Sequence, residues 1–188
     1  FLAGGAKTVP ATVDVPAATG EPKRNIGGVY SEVPLPQKQR ILNSRMQRGS
    51  ALVVPGTIMV ATRWSEIESI RAELKASGSE FQPSSFTMFS YAIAQTLKDF
   101  PGFRSAMVGD ETLRTYQNVS LGIAVSLPGD ELVLAVVEEA DTLSWPEFAA
   151  RMRTRIEEAR GGKDQANEAV TISLTNMQSF GLRDAVPV

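Results

Sequence analysis

The sequence contains no cysteine and no histidine. Without a thiolate there is no zinc finger, iron–sulfur cluster, disulfide scaffold or cysteine nucleophile. Without an imidazole these residues cannot by themselves complete a Ser-His-Asp triad. A metal would have to be held by carboxylates alone, which favours Mg²⁺ or Ca²⁺. An excess of charge is also missing. The 19 Lys+Arg and 21 Asp+Glu leave a net charge of −2, and a pI near 5.3 gives no long-range field to attract nucleic acid. The longest apolar run, Leu132 to Val137, is far short of a membrane span. The opening FLAGGAK is too short for a signal peptide and begins abruptly, so the chain reads as an excerpt of something longer in a cytosolic setting.

What is present suits one ordinary domain. The 188 residues are 43% apolar and 21% charged, enough to bury a real core. Residues 8–28 hold Pro10, Pro16 and Pro22 among Ala, Thr and Gly, with few large apolar groups to bury, and read as a flexible linker or a ragged terminus. The globular part, 29–188, starts near Val29. Ile41, Leu42, Arg45 and Met46 have helical spacing, with Gly49 as a stop. Leu52 to Thr62 is rich in β-branched residues and reads as a strand entered after Pro55. Ser65 with Glu68 suggests a capping box, Ile67, Ile70 and Leu74 then line one face, and Gly78 ends that helix. Ser84 or Ser85 caps a third helix with Phe86, Phe89, Ala92, Ile93 and Leu97 inward, closed by Pro101.

Two short strands follow, turning at Gly109-Asp110. VSLGIAV and ELVLAVV flank Leu127-Pro128-Gly129-Asp130, a strong hairpin signal. Ser144 and Glu147 form a second capping box, with Phe148, Met152 and Ile156 as the helix stripe and Gly161-Gly162 as its stop. EAVTISLTN is the last strand. The order predicts an α/β domain, with helices packed on one mixed sheet.

Generic site signals are few. The Gly-Gly pairs lack the strand, helix and Lys-Ser/Thr context of a phosphate loop. Glu138, Glu139 and Asp141 could hold a cation but suit solvated loop charge better. Arg151, Arg153, Arg155 and Arg160 read as a solvated helix face, partly paired with Glu157 and Glu158, rather than an anion site. Met46, Met59, Met88 and Met152 read as packing.

Six pieces in order carry a resemblance. PLPQKQRILNSRMQRG, a Pro-containing strand, WSEIESIRAELK, LKDFPGFRSAM, the block from YQNVSLGIAV to EARGGK, and VTISLTNMQSFG together resemble the catalytic domain of 2-oxo acid dehydrogenase acyltransferases. FLAGGAK (1–7) is similar to the last turn of the peripheral-subunit-binding domain that precedes the linker in that family. The resemblance implies a chloramphenicol-acetyltransferase-like two-layer fold and homotrimers, often joined in larger cores. It implies acetyl or succinyl transfer between dihydrolipoamide and coenzyme A, with the lipoyl group on a separate or upstream domain. Dehydrogenase and dihydrolipoamide dehydrogenase subunits are the implied partners. No metal, nucleic acid or membrane is implied, and the implied compartment is the cytoplasm, mitochondrial matrix or plastid.

The resemblance also implies roles for two residues. Ser173, in Thr-Ile-Ser, matches the family's oxyanion donor, where the reading from residues alone is a strand-terminal Ser satisfying local backbone. Arg71 matches an Arg that pairs with the Asp of a His-x-x-x-Asp-Gly motif; alone it reads as a surface helix Arg. The chain departs from the pattern at Arg104 (Asn in the family), Ser126 (Asp) and Ala135 (Pro), and it stops before the His motif. These 188 residues alone are therefore expected to be inactive. Two alternatives are a non-catalytic core subunit and a stand-alone acyltransferase of secondary metabolism.

Overall fold

The structure, a computed structural model, describes residues 28–129, 131–178 and 181. The two proposed N-terminal regions, 1–7 and nearly all of 8–28, lie outside the described residues, as does Asp130. The chain divides into two compact units, one up to Pro55 and one from Gly56 to Pro187.

In the first unit, α1 spans Gln37–Leu52 and starts after Pro36. It continues past Gly49, which tolerates the helix here at a modest entropic cost. The expected strand over Leu52–Thr62 is absent. Leu52 ends α1, and residues 53–64 form no ladder among the described residues. Val54 is 95% exposed and Ile58 89%. β-branched composition favours a strand only where a neighbouring strand accepts it.

The second unit opens on α2 (Ser65–Ala76). The capping box expected there does not form; Trp64 is the N-cap, with no side-chain bond. Gly78 follows with φ +66, in the left-handed region that favours glycine. Then α3 (Ser85–Thr96) starts on a working cap, the Ser84 hydroxyl accepting from the Thr87 N–H at 3.1 Å. Its buried positions are Ser90 and Ala94, with Phe86 and Ile93 packed against the core; Ala92 faces outward instead. Two 3₁₀ turns, Leu97–Asp99 and Pro101–Arg104, lead into the β1 (Ser105–Val108) and β2 (Thr112–Thr115) hairpin.

The main sheet has the order β4-β3-β5. Strands β3 (Ser120–Ser126) and β4 (Leu132–Val137) are antiparallel across the expected turn. After β4 comes α4 (Trp145–Arg160), with the expected Ser144–Glu147 capping box. Strand β5 (Val170–Leu174) then returns parallel to β3. Leu121, Ile123, Ala135 and Val137 face the helices and meet Phe148 and Met152 of α4, all buried. The outer edge of β4 is closed by side chains. Asp164 and Gln165 accept from the N–H groups of Leu134 and Val136, and the Gln165 N–H donates to the Leu134 carbonyl.

Gly122 sits on the other face of β3, where a Cβ would lie 2.9 Å from Val170 Cγ1 and 3.0 Å from Leu134 Cδ2. Gly122→Val is therefore expected to cost about 1–3 kcal/mol through overpacking, read as a lowered urea midpoint at unchanged slope.

Candidate functional site

Ser173 stands near the end of β5, paired in register with Gly122. Its neighbours Ile172 and Leu174 pack against the core, and Ser173 itself is exposed. No hydrogen bond of its hydroxyl is found among the described residues. The expected alternative, a hydroxyl spent on local backbone, is thus not what the structure shows. Beside it on β3, Gly122 is buried under the side chains of Val170 and Leu134.

Arg71 stands on α2, half-exposed, with its guanidinium 3.3 Å from Glu68. Glu68 also accepts from the Ser85 hydroxyl at 2.5 Å, which links α2 to the start of α3. Arg71 lines a cleft of about 340 Å³ with Ser85, Phe86, Arg160, Asn176 and Gln178. Ser173 does not line that cleft; the chain beyond β5 does, through Asn176 and Gln178. The structure therefore shows no contact between the two candidate residues among the described residues. No sequence pattern marks Asn176 and Gln178, and the spacing of Glu68 from Ser65 points to a cap rather than a tether.

Hydrogen bonding holds three glutamates below the ordinary 4.5. Glu68 is lowered first by the Ser85 hydroxyl and further by Arg71. The Ser144 hydroxyl and backbone lower Glu147. Arg155 and Lys163 lower Glu158. A depressed folded-state pKa gives stability that is present above the unfolded value and is lost as pH falls through the folded one. No side chain here has an ordinary pKa between 5 and 8. Tm is therefore expected to stay level across that window and to fall as pH drops below 4.5. A scan of Tm against pH checks this, and a step near pH 6.5 would contradict it.

The family described as 2-oxoacid dehydrogenases acyltransferase (catalytic domain) matches residues 28–188. The chain belongs to this family. Its relatives include the multifunctional 2-oxoglutarate metabolism enzyme of Mycolicibacterium vanbaalenii, 34% identical over 113 residues, which are 55% of this chain and 9% of that protein. The lipoamide acyltransferase component of the branched-chain alpha-keto acid dehydrogenase complex of Bacillus subtilis is 25% identical over 155 residues, 80% of this chain and 36% of that protein. The chain thus spans about a tenth to a third of the length of these curated relatives. Among solved structures, the cubic core of the pyruvate dehydrogenase multienzyme complex aligns with TM-score 0.74 at 24% identity, over 86% of this chain and 68% of that one. A probable dihydrolipoamide acetyltransferase from Listeria monocytogenes aligns with TM-score 0.72 at 24% identity, over 84% and 69%. These likenesses bear out the expected chloramphenicol-acetyltransferase-like α/β fold.

As a member of the acyltransferase family, the chain departs from the expected pattern at positions the structure now places. Arg104 is spent on backbone. Its guanidinium donates to the carbonyls of Tyr116, Gln117 and Lys98, and so ties the second 3₁₀ turn to the segment after β2. Ser126 is exposed at the end of β3, and Ala135 is buried opposite Ile123. In the acidic loop Glu138 and Glu139 are exposed as expected, and Asp141 departs from the expectation. Asp141 is buried and accepts from the Val119 N–H at 2.8 Å, and Glu138 lies 3.6 Å from Arg155. Among the described residues no group of three such side chains could hold a metal. On α4, Arg155 pairs with Glu158 as expected, while Arg153 and Arg160 line the groove beside α3. Among the described residues no helix is long and apolar enough to cross a membrane.

Proposed function

We propose that the chain forms the acyl-transfer pocket of a dihydrolipoamide acyltransferase core, moving an acetyl or succinyl group between dihydrolipoamide and coenzyme A. The observation that carries this reading is the exposed Ser173 hydroxyl, without a hydrogen-bond partner among the described residues, beside the small residues Gly122 and Ala124 in a chain of this family. Such a hydroxyl is free to donate to a developing oxyanion.

The chemistry needs a base as well as a donor. A thiol is mostly protonated at neutral pH, so a base must take its proton before the sulfur attacks the acyl carbonyl. The tetrahedral oxyanion then collapses, and the leaving thiolate takes a proton back. Ser173 serves the oxyanion; Arg71 orients a carboxylate of the base-bearing segment, with Glu68 as its resting partner. No imidazole occurs in these residues, so the base comes from elsewhere. Trimers assembled into a larger core, in the cytoplasm or an organelle matrix, complete the reading. The dehydrogenase and dihydrolipoamide dehydrogenase subunits are its partners.

Free imidazole tests this directly. With acyl-coenzyme A and dihydrolipoamide, the chain alone should give no transfer at pH 7, and the rate above that of imidazole without protein should rise in proportion to added imidazole. The alternative reading is a non-catalytic core subunit. Oligomers by light scattering with no transfer at any imidazole concentration would select it, and a purely monomeric protein would contradict both readings.

A further inference from the structure

Strand β5 is irregular just before Ser173. Ser120 pairs with Val170, but the next residue, Leu121, pairs with Ile172. Thr171 is therefore the extra residue of a β-bulge. In an unbroken strand Val170 and Ser173, three positions apart, would point to opposite faces. Here both lie on the Gly122 side, since Val170 Cγ1 covers Gly122 and Ser173 pairs with it. Ile172 and Leu174 meanwhile keep to the core. The bulge allows Val170 to pack over Gly122 without turning Ser173 into the core.

The extra residue is itself tied down. The Thr171 hydroxyl donates to the Phe103 carbonyl at 2.7 Å. Phe103 sits in the 3₁₀ turn that Arg104 clamps to the carbonyls of Tyr116, Gln117 and Lys98. Just upstream of β5, the Tyr116 hydroxyl donates to the Glu168 carbonyl at 2.8 Å and Arg114 pairs with the Glu168 side chain at 2.9 Å. The entry to β5 is thus held against the β1–β2 side, and one tie falls on the bulged residue.

We propose that Thr171 is a positioning residue for Ser173: its bond to the Phe103 carbonyl pins the bulge and so sets the aim of the Ser173 hydroxyl. The inference rests on the reading of Ser173 as oxyanion donor. A bulge bends its strand and increases the local twist, and residues just beyond it inherit that change of direction. An oxyanion donor works over a narrow range of distance, about 2.7–3.1 Å. A misplacement of about 1 Å can cost about a hundredfold in rate.

Thr171→Val keeps the side-chain shape and removes the hydroxyl; Thr171→Ser keeps the hydroxyl and removes the methyl. Both are measured in the imidazole-supported assay, with kcat and KM separated, and both are crystallised. Thr171→Val is expected to lower kcat by about a hundredfold at unchanged KM, with Ser173 displaced and the Leu121–Ile172 register relaxed. Thr171→Ser is expected to restore both. An intact bulge with Ser173 in place in Thr171→Val overturns the inference, as does a kcat loss that Thr171→Ser does not reverse. A displaced Ser173 with full kcat upholds the pinning but removes Ser173 from the reaction, and the oxyanion reading falls. If no transfer is seen in any protein, the two crystal structures still decide whether the bulge is pinned. Should Thr171→Val not fold, Thr171→Ala takes its place against Thr171→Ser.

Discussion

Ser173→Ala should lower imidazole-supported acyl transfer by about 10²–10³-fold, as loss of one oxyanion donor does in other acyl-transfer sites. The loss should appear in kcat, because the donor meets the oxyanion only in the transition state and makes no comparable bond to the ground-state thioester. The substitution should leave stability almost unchanged. Ser173 is exposed and its hydroxyl holds no other group among the described residues, so nothing buried is left unpaired. Unchanged kcat in a folded Ser173→Ala protein would remove the hydroxyl from the mechanism. A large fall in Tm would instead show a structural role. Ser173→Thr keeps the hydroxyl but adds a methyl beside Gly122, and it should recover part of the lost rate.

Phe148→Ala carries the largest expected effect on stability. Phe148 is fully buried on α4, and its ring lies 5.3 Å from that of Tyr91 on α3. It meets Leu121, Ile123 and Val137 in the same core cluster, where helices and sheet close on each other. Truncation removes the transfer energy of the ring and leaves a cavity that the neighbours fill only in part, at a cost of about 3–5 kcal/mol. For a chain of this length that corresponds to a fall in Tm of about 10 °C. Phe148→Leu keeps most of the volume and should cost less than half as much. Equal losses for the two substitutions would mean that packing around the ring is not the source of the effect.

The elements written in local chemistry were legible from the sequence. The Ser144–Glu147 box, the Phe148–Met152–Ile156 stripe and the Gly129 turn depend on residues a few positions apart, and the structure has all three. The readings that failed depend on distant neighbours. Leu52 to Thr62 has strand composition, yet no strand lies beside it among the described residues. Glu68 has capping spacing, but the Ser85 hydroxyl and Arg71 outcompete the backbone for it. At the site, Ser173 and Arg71 could be named only through the family motif, because neither residue type is distinctive by itself. The bulge at Thr171 has no sequence signature at all. It follows from two packing demands on β5, one from the core and one from Gly122.

The side-chain plug on β4 limits how this sheet can grow. With Asp164 and Gln165 occupying the N–H groups of Leu134 and Val136, the β4 edge has no free ladder to offer. The opposite edge, on β5, has no strand beside it among the described residues. A strand from another copy could pair with β4 only by first displacing the Asp164 and Gln165 contacts, so the chain's own side chains guard this edge against addition.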